Sequence, residues 1–102
     1  MIFEWDDAKN RTNLTKHGIS FEEARLVFDG PLLSGRDERF DYGEPRVISI
    51  GAIETVVIVV VVHTDRGGIT RIISARLANR RERNRYRDYL QSAPERTGGT
   101  NG

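Results

Sequence analysis

The chain has 102 residues and no cysteine. Disulfides and thiolate metal sites are therefore excluded, and a reducing cytoplasm is allowed. It also lacks any apolar run near the roughly 20 residues that a membrane-crossing helix needs. The longest is the seven-residue stretch Val56-Val57-Ile58-Val59-Val60-Val61-Val62. The opening Met1-Ile2-Phe3-Glu4-Trp5-Asp6-Asp7 has neither a basic n-region nor an apolar h-region, so no secretory signal is read. A cytoplasmic location without membrane attachment is the expectation these omissions allow. There is no internal repeat and no phosphate loop. Gly67-Gly68 sits between two strands rather than before a helix N-terminus, so it is no nucleotide signature, and no cofactor is expected.

Acid is scarce in one place. Between 66 and 87, arginines at 66, 71, 76, 80, 81, 83, 85 and 87 stand against a single acid, Glu82. Residues 1–65 carry 7 Lys+Arg and 12 Asp+Glu, net −5, and residues 66–102 carry 9 and 3, net +6. The overall +1 conceals this division. A segregated basic patch suits a polyanionic partner, while the acidic half disfavours wholesale coating of nucleic acid.

What is present organises the chain around residues 56–90. Seven consecutive β-branched residues cannot alternate in and out, so 56–62 reads as a strand covered on both faces. It continues through His63-Thr64, turns at Asp65-Arg66-Gly67-Gly68, and returns as a strand over Ile69–Arg76, a tight hairpin. Upstream, Ile2–Trp5 alternates like a short strand, and Asp6 caps a helix through His17 that Gly18 stops. Ser20 and Glu23 form a capping box for a second helix, which Gly30-Pro31 ends. Residues 34–45 are polar and punctuated by glycine and proline, hence a loop. Arg46–Gly51 reads as a strand and 52–55 as a turn. Asn79 and Glu82 make a second capping box, opening a helix to about Leu90. Residues 1–90 form one domain of small α+β type, and 91–102 read as a disordered tail.

If the polyanion is RNA, cutting it through the 2′-hydroxyl needs a proton acceptor, a proton donor and fixed positive charge near the phosphorus. His63, at the end of the central strand, is a candidate base or acid. Arg71 and Arg76 lie five apart on one strand, so alternation points them to opposite faces, and Arg76 is favoured for its nearness to the helix. Glu82, Arg85, Tyr86 and Tyr89 share a helix face, with Arg81 and Arg85 on an adjacent one. Arginines at 80, 81, 83 and 85 hold Glu82 ionised, which suits a base. Tyr86 is placed to stack on a nucleobase or donate to a phosphate. Each residue also has a structural reading. Glu82 closes a capping box, His63 is a hydrogen-bonded strand histidine, His17 serves a helix C-terminus, and Tyr86 and Tyr89 are the stripe that docks the helix.

Several strings together resemble a known family. Phe3-Glu4-Trp5-Asp6, Lys16-His17-Gly18-Ile19-Ser20-Phe21-Glu22-Glu23-Ala24, Val27-Phe28-Asp29, Val62-His63-Thr64, Arg71-Ile72-Ile73-Ser74-Ala75-Arg76 and Arg80-Arg81-Glu82-Arg83 stand in the order and spacing of the BrnT toxins. The resemblance spans about residues 2–90. It implies a RelE-like α+β fold, with two N-terminal helices on an antiparallel sheet and a C-terminal helix. It further implies a ribonuclease toxin of a type II toxin–antitoxin system that needs no metal and blocks translation. The implied partner is a BrnA-like ribbon-helix-helix antitoxin in a heterotetramer, with operator DNA reached only through the antitoxin. Carried onto this chain, it points to Arg71, Arg76, Arg80, Arg81 and Glu82, with Tyr86 a turn later. It adds some weight to His63 as catalytic and Lys16 as RNA-binding, beside Arg85. Phe28-Asp29-Gly30-Pro31 departs from the family pattern, in which proline follows the aspartate directly. The competing reading is a non-catalytic, arginine-rich module that binds RNA or an acidic partner.

Overall fold

The structure, a computed structural model, describes residues 1–39, 41 and 43–92. Its elements are β1 (Ile2–Glu4), α1 (Asp7–His17), α2 (Phe21–Ala24) running into a 3-10 turn (Arg25–Asp29), β2 (Leu33–Asp37), β3 (Arg46–Ile53), β4 (Val57–Arg66), β5 (Ile69–Leu77) and α3 (Arg80–Ser92). The sheet order is β1-β5-β4-β3-β2. Strands β2 to β5 form an antiparallel meander, and β1 adds a parallel pair, Ile2 opposite Ile69 through Glu4 opposite Arg71. The α+β class holds, and the sheet is mixed rather than wholly antiparallel. A parallel pair needs a long crossover, and here two helices and three strands supply it.

The helix ends follow the residues that signalled them. The Asp6 side chain accepts from the Lys9 N–H at 3.0 Å, and Gly18, at φ 74°, donates to the Leu14 carbonyl at 2.8 Å. Ser20 and Glu23 close a full capping box. In α1 only Asn13 is buried. Its amide donates to the carbonyls of Ile19 at 2.9 Å and Ala75 at 2.8 Å, and its oxygen accepts from the Ala75 N–H at 3.1 Å. Because β1 stops opposite Arg71, the outer edge of β5 beyond it has no neighbouring strand, and Asn13 takes up its hydrogen bonds at Ala75.

The sheet is covered on both faces, as the β-branched run requires. On one face Ile19, Phe21, Ala24 and Val27 pack on Val59, Val61, Ile72 and Ala75. On the other, α3 brings Tyr86 onto Ile50, Val60 and Ala78. Coverage does not extend over the whole run: Val56 is 78% exposed and Val57 41%. Val56 lies in the turn before β4, not in the strand. At Gly51 a Cβ would lie 2.7 Å from Val27 Cβ, so this close approach requires glycine.

Other boundaries also differ from the sequence reading. Residues 33–37, mostly assigned to a loop, form β2, paired with β3 from Leu33–Ile50 to Asp37–Arg46. This is an edge strand, with residues 34–36 exposed, so it carries no apolar alternation to read. The β3–β4 turn begins at Glu54 rather than at 52. The hairpin turn narrows to Gly67-Gly68, with φ 58° and 83°, the left-handed pair that a two-residue hairpin demands. Helix α3 continues through Ser92, so the first two residues of the expected tail are helical. The rest of that tail lies outside the described residues.

Candidate functional site

The site begins where β5 hands the chain to α3. The Asn79 side chain accepts from the Glu82 N–H at 2.9 Å, and the Glu82 carboxylate accepts from the Asn79 N–H at 2.9 Å. This capping box fixes Glu82 in the first turn of α3. Arg76, opposite Val60 on β5, then meets it end to end. Its Nη1 donates to Glu82 Oε1 and its Nη2 to Oε2, both at 2.8 Å, a bidentate pair. Arg76 is about half exposed and Glu82 mostly buried, with side-chain exposures of 44% and 17%. The Arg76 hydrogen bonds hold the Glu82 carboxyl at about 2; burial opposes the shift, and the Asn79 N–H and the charge of Arg85 add to it. The same bonds push Arg76 upward.

An open groove of about 380 Å³ surrounds this pair. Leu33, Ile48 and Ile50 give it an apolar floor, and Arg36, Arg39 and Arg85 join Arg76 along its walls. Glu82 is the only carboxylate among these lining residues. Asp37 orders Arg39 beside it, through bonds of 2.9 Å to Nε and 2.9 Å to Nη2. Guanidinium groups around one carboxylate can hold an extended phosphate chain and leave one proton acceptor in its path.

The structure brings together only part of the predicted set. Arg76, Glu82 and Arg85 meet in the groove. Arg80 and Arg81 are exposed on the first turn of α3 and are not among the groove's lining residues. His63 lies across the sheet. It is 3% exposed, with Nε2 2.8 Å from Ser49 Oγ, Nδ1 2.9 Å from Asp65, and its ring edge-on to Phe28 at 5.0 Å. Tyr86 is 2% exposed, and its hydroxyl donates to the Pro31 carbonyl at 2.8 Å. Burial pushes the phenol upward. It anchors α3 and has no free face for a nucleobase.

Arg71 corrects the alternation argument. The β4–β5 register slips between Val62 and His63, and Ile72 and Ala75, three apart, both enter the helix-side core. Their outer neighbours Arg71 and Arg76 therefore share the opposite face. Strand rise still keeps them about 16 Å apart, and Arg71 pairs with Glu4 at 3.1 Å. Lys16 lines a separate shallow hollow beside α1, with Lys9, His17 and Ser74. Sequence reasoning missed Arg36 and Arg39. No local signal marked them, since only the β2–β3 pairing carries them to the groove.

Comparison with known proteins defines the class. A family model described as "Ribonuclease toxin, BrnT, of type II toxin-antitoxin system" matches residues 5–82. This is a ribonuclease toxin of a type II toxin–antitoxin system. The chain belongs to the BrnT family, and that membership implies an antitoxin partner. Its fold is similar to the 1.1 Å crystal structure of the Brucella abortus ribonuclease toxin BrnT, at a TM-score of 0.58 and 24% identity. The match covers 78% of this chain and all of the other. A search of curated proteins found no match. Among the described residues no helix is long and apolar enough to cross a membrane.

Proposed function

We propose that the chain is an endoribonuclease that cuts RNA in the groove between α3 and β2–β3 and so blocks translation in the cytoplasm. The observation that carries this is the Arg76–Glu82 pair, one carboxylate held ionised among arginines. Arg36, Arg76 and Arg85 hold the scissile phosphate and stabilise the charge that grows on it, and Arg80 and Arg81 hold the flanking backbone. Guanidinium groups take the place a metal would otherwise fill.

In the free protein Glu82 is a weak proton acceptor, because Arg76 holds its carboxyl near 2. A bound phosphate competes for the Arg76 fork. As Arg76 turns to it, Glu82 returns toward the ordinary carboxylate range and becomes a better base. It then takes the 2′-hydroxyl proton. The 2′-oxygen bonds to phosphorus, the bond to the 5′-oxygen breaks, and solvent in the open groove protonates the leaving oxygen. The products are a 2′,3′-cyclic phosphate and a 5′-hydroxyl. His63 and Tyr86 support this through the fold, while Arg71 and Lys16 lie along outer paths for RNA. A BrnA-like ribbon-helix-helix antitoxin neutralises the toxin in a heterotetramer and carries the contact with operator DNA.

One observation favours the second reading, a non-catalytic binding module: among the described residues that line the groove there is no histidine or tyrosine to donate a proton beside Glu82. Induced expression separates the two. Wild type is expected to arrest growth and to leave cyclic-phosphate ends on cut RNA. Glu82→Gln and Arg76→Ala are expected to do neither while melting cooperatively. Equal arrest by all three, with RNA intact, would establish the binding module.

A further inference from the structure

A second groove runs along the opposite flank of α3. Its walls are Pro31, Ala52, Val56, Ile58, Tyr86 and Leu90, and its volume is about 400 Å³. The walls are mostly apolar and stand open: Val56 is 78% exposed and Leu90 42%. The backbone presents Val56 at some cost. Glu54 and Thr55, neither of them glycine, take φ of 54° and 61° in the turn before it. The left-handed region is unfavourable for a β-branched residue, and such strain persists where a structure clamps a ligand.

Charge identifies the occupant. Arg83 and Arg87 line the same groove one helical turn apart, and among the described residues no acidic side chain lines it. An apolar trough edged by two cations fits an amphipathic segment whose apolar side chains enter the groove while its carboxylates reach the arginines. We infer that this groove is the docking surface for an acidic, amphipathic segment of the antitoxin. The partner's identity rests on the toxin reading, whereas the surface rests on the geometry. This groove shares no lining residue with the one holding Glu82, so the docked segment sits beside the catalytic carboxylate rather than on it. Binding and shielding of the site are then neighbouring but separable events.

The test uses Val56→Asp and Leu90→Asp, both exposed and outside the cleavage groove, with the cognate antitoxin co-expressed. Each is expected to weaken antitoxin affinity at least tenfold, to keep RNA cleavage, and to melt like wild type. Arg87→Glu is expected to weaken binding less at high salt than at low salt. Unchanged antitoxin affinity in both aspartate variants overturns the inference. So does a wild-type dimer that Val56→Asp turns into a monomer while antitoxin affinity stays constant, because the groove is then occupied by a second copy. Affinity is read without catalysis, so loss of the ribonuclease reading alone leaves this result interpretable.

Discussion

Glu82 serves two purposes with one side chain: it closes the capping box of α3 and it pairs with Arg76. Glutamine keeps an oxygen for the Asn79 N–H but drops the charge, so Glu82→Gln isolates the ion pair. We expect cleavage to fall by roughly 10²-fold or more, as loss of a general base does. The folded-state carboxyl, at about 2, lies below its ordinary 4.5. Its stabilisation is therefore complete above about 4.5 and is lost as pH falls toward 2. With half of Arg76 exposed, solvent screening reduces the effect to about 1 kcal/mol. Urea melts should show that difference between wild type and Glu82→Gln at pH 7, closing by pH 2.

Among the elements, α1 owes its attachment to a polar residue rather than to an apolar stripe. Leu14 is 48% exposed, and Asn13 is the buried position. Asn13→Ala strands the N–H and C=O of Ala75 and the carbonyl of Ile19 in a buried setting. The expected cost is about 2–4 kcal/mol, from the desolvation of buried unpaired groups, and equilibrium denaturation measures it. The asparagine looked unremarkable in sequence because its partner Ala75 is 62 residues away. Helix α3 shows the converse. Its cap, its tyrosine stripe and its arginines were all legible locally, since each depends on spacings of three or four residues. Strand β2 was not legible, because an exposed edge strand owes its structure to β3 alone.

Taken whole, the molecule concentrates positive charge around α3 and neutralises arginines farther along the same face of the sheet through pairs such as Arg71–Glu4 and Arg66–Glu44. RNA affinity should therefore fall steeply with salt. Replacing Arg36 and Arg85 together is expected to reduce the slope of log affinity against log salt by about 0.7 per lost phosphate contact, measured by anisotropy on a short single strand. An unchanged slope would remove both residues from the RNA path.

Some of this protein was determined by sequence alone. The caps, the hairpin glycines, the doubly covered strand and the basic C-terminal half follow from local stereochemistry and composition, which act within a few residues. Arg76 and Glu82 were both legible as candidates. Their pairing was not, nor was the choice among the other candidates. Tertiary structure removed His63 to the far face, turned Tyr86 into an anchor, and carried Arg36 to the site on an edge strand. A bulge, a single extra residue in a ladder, put Arg71 and Arg76 on one face where alternation had opposed them. Those outcomes depend on register and packing between distant segments, and no local pattern contains that information.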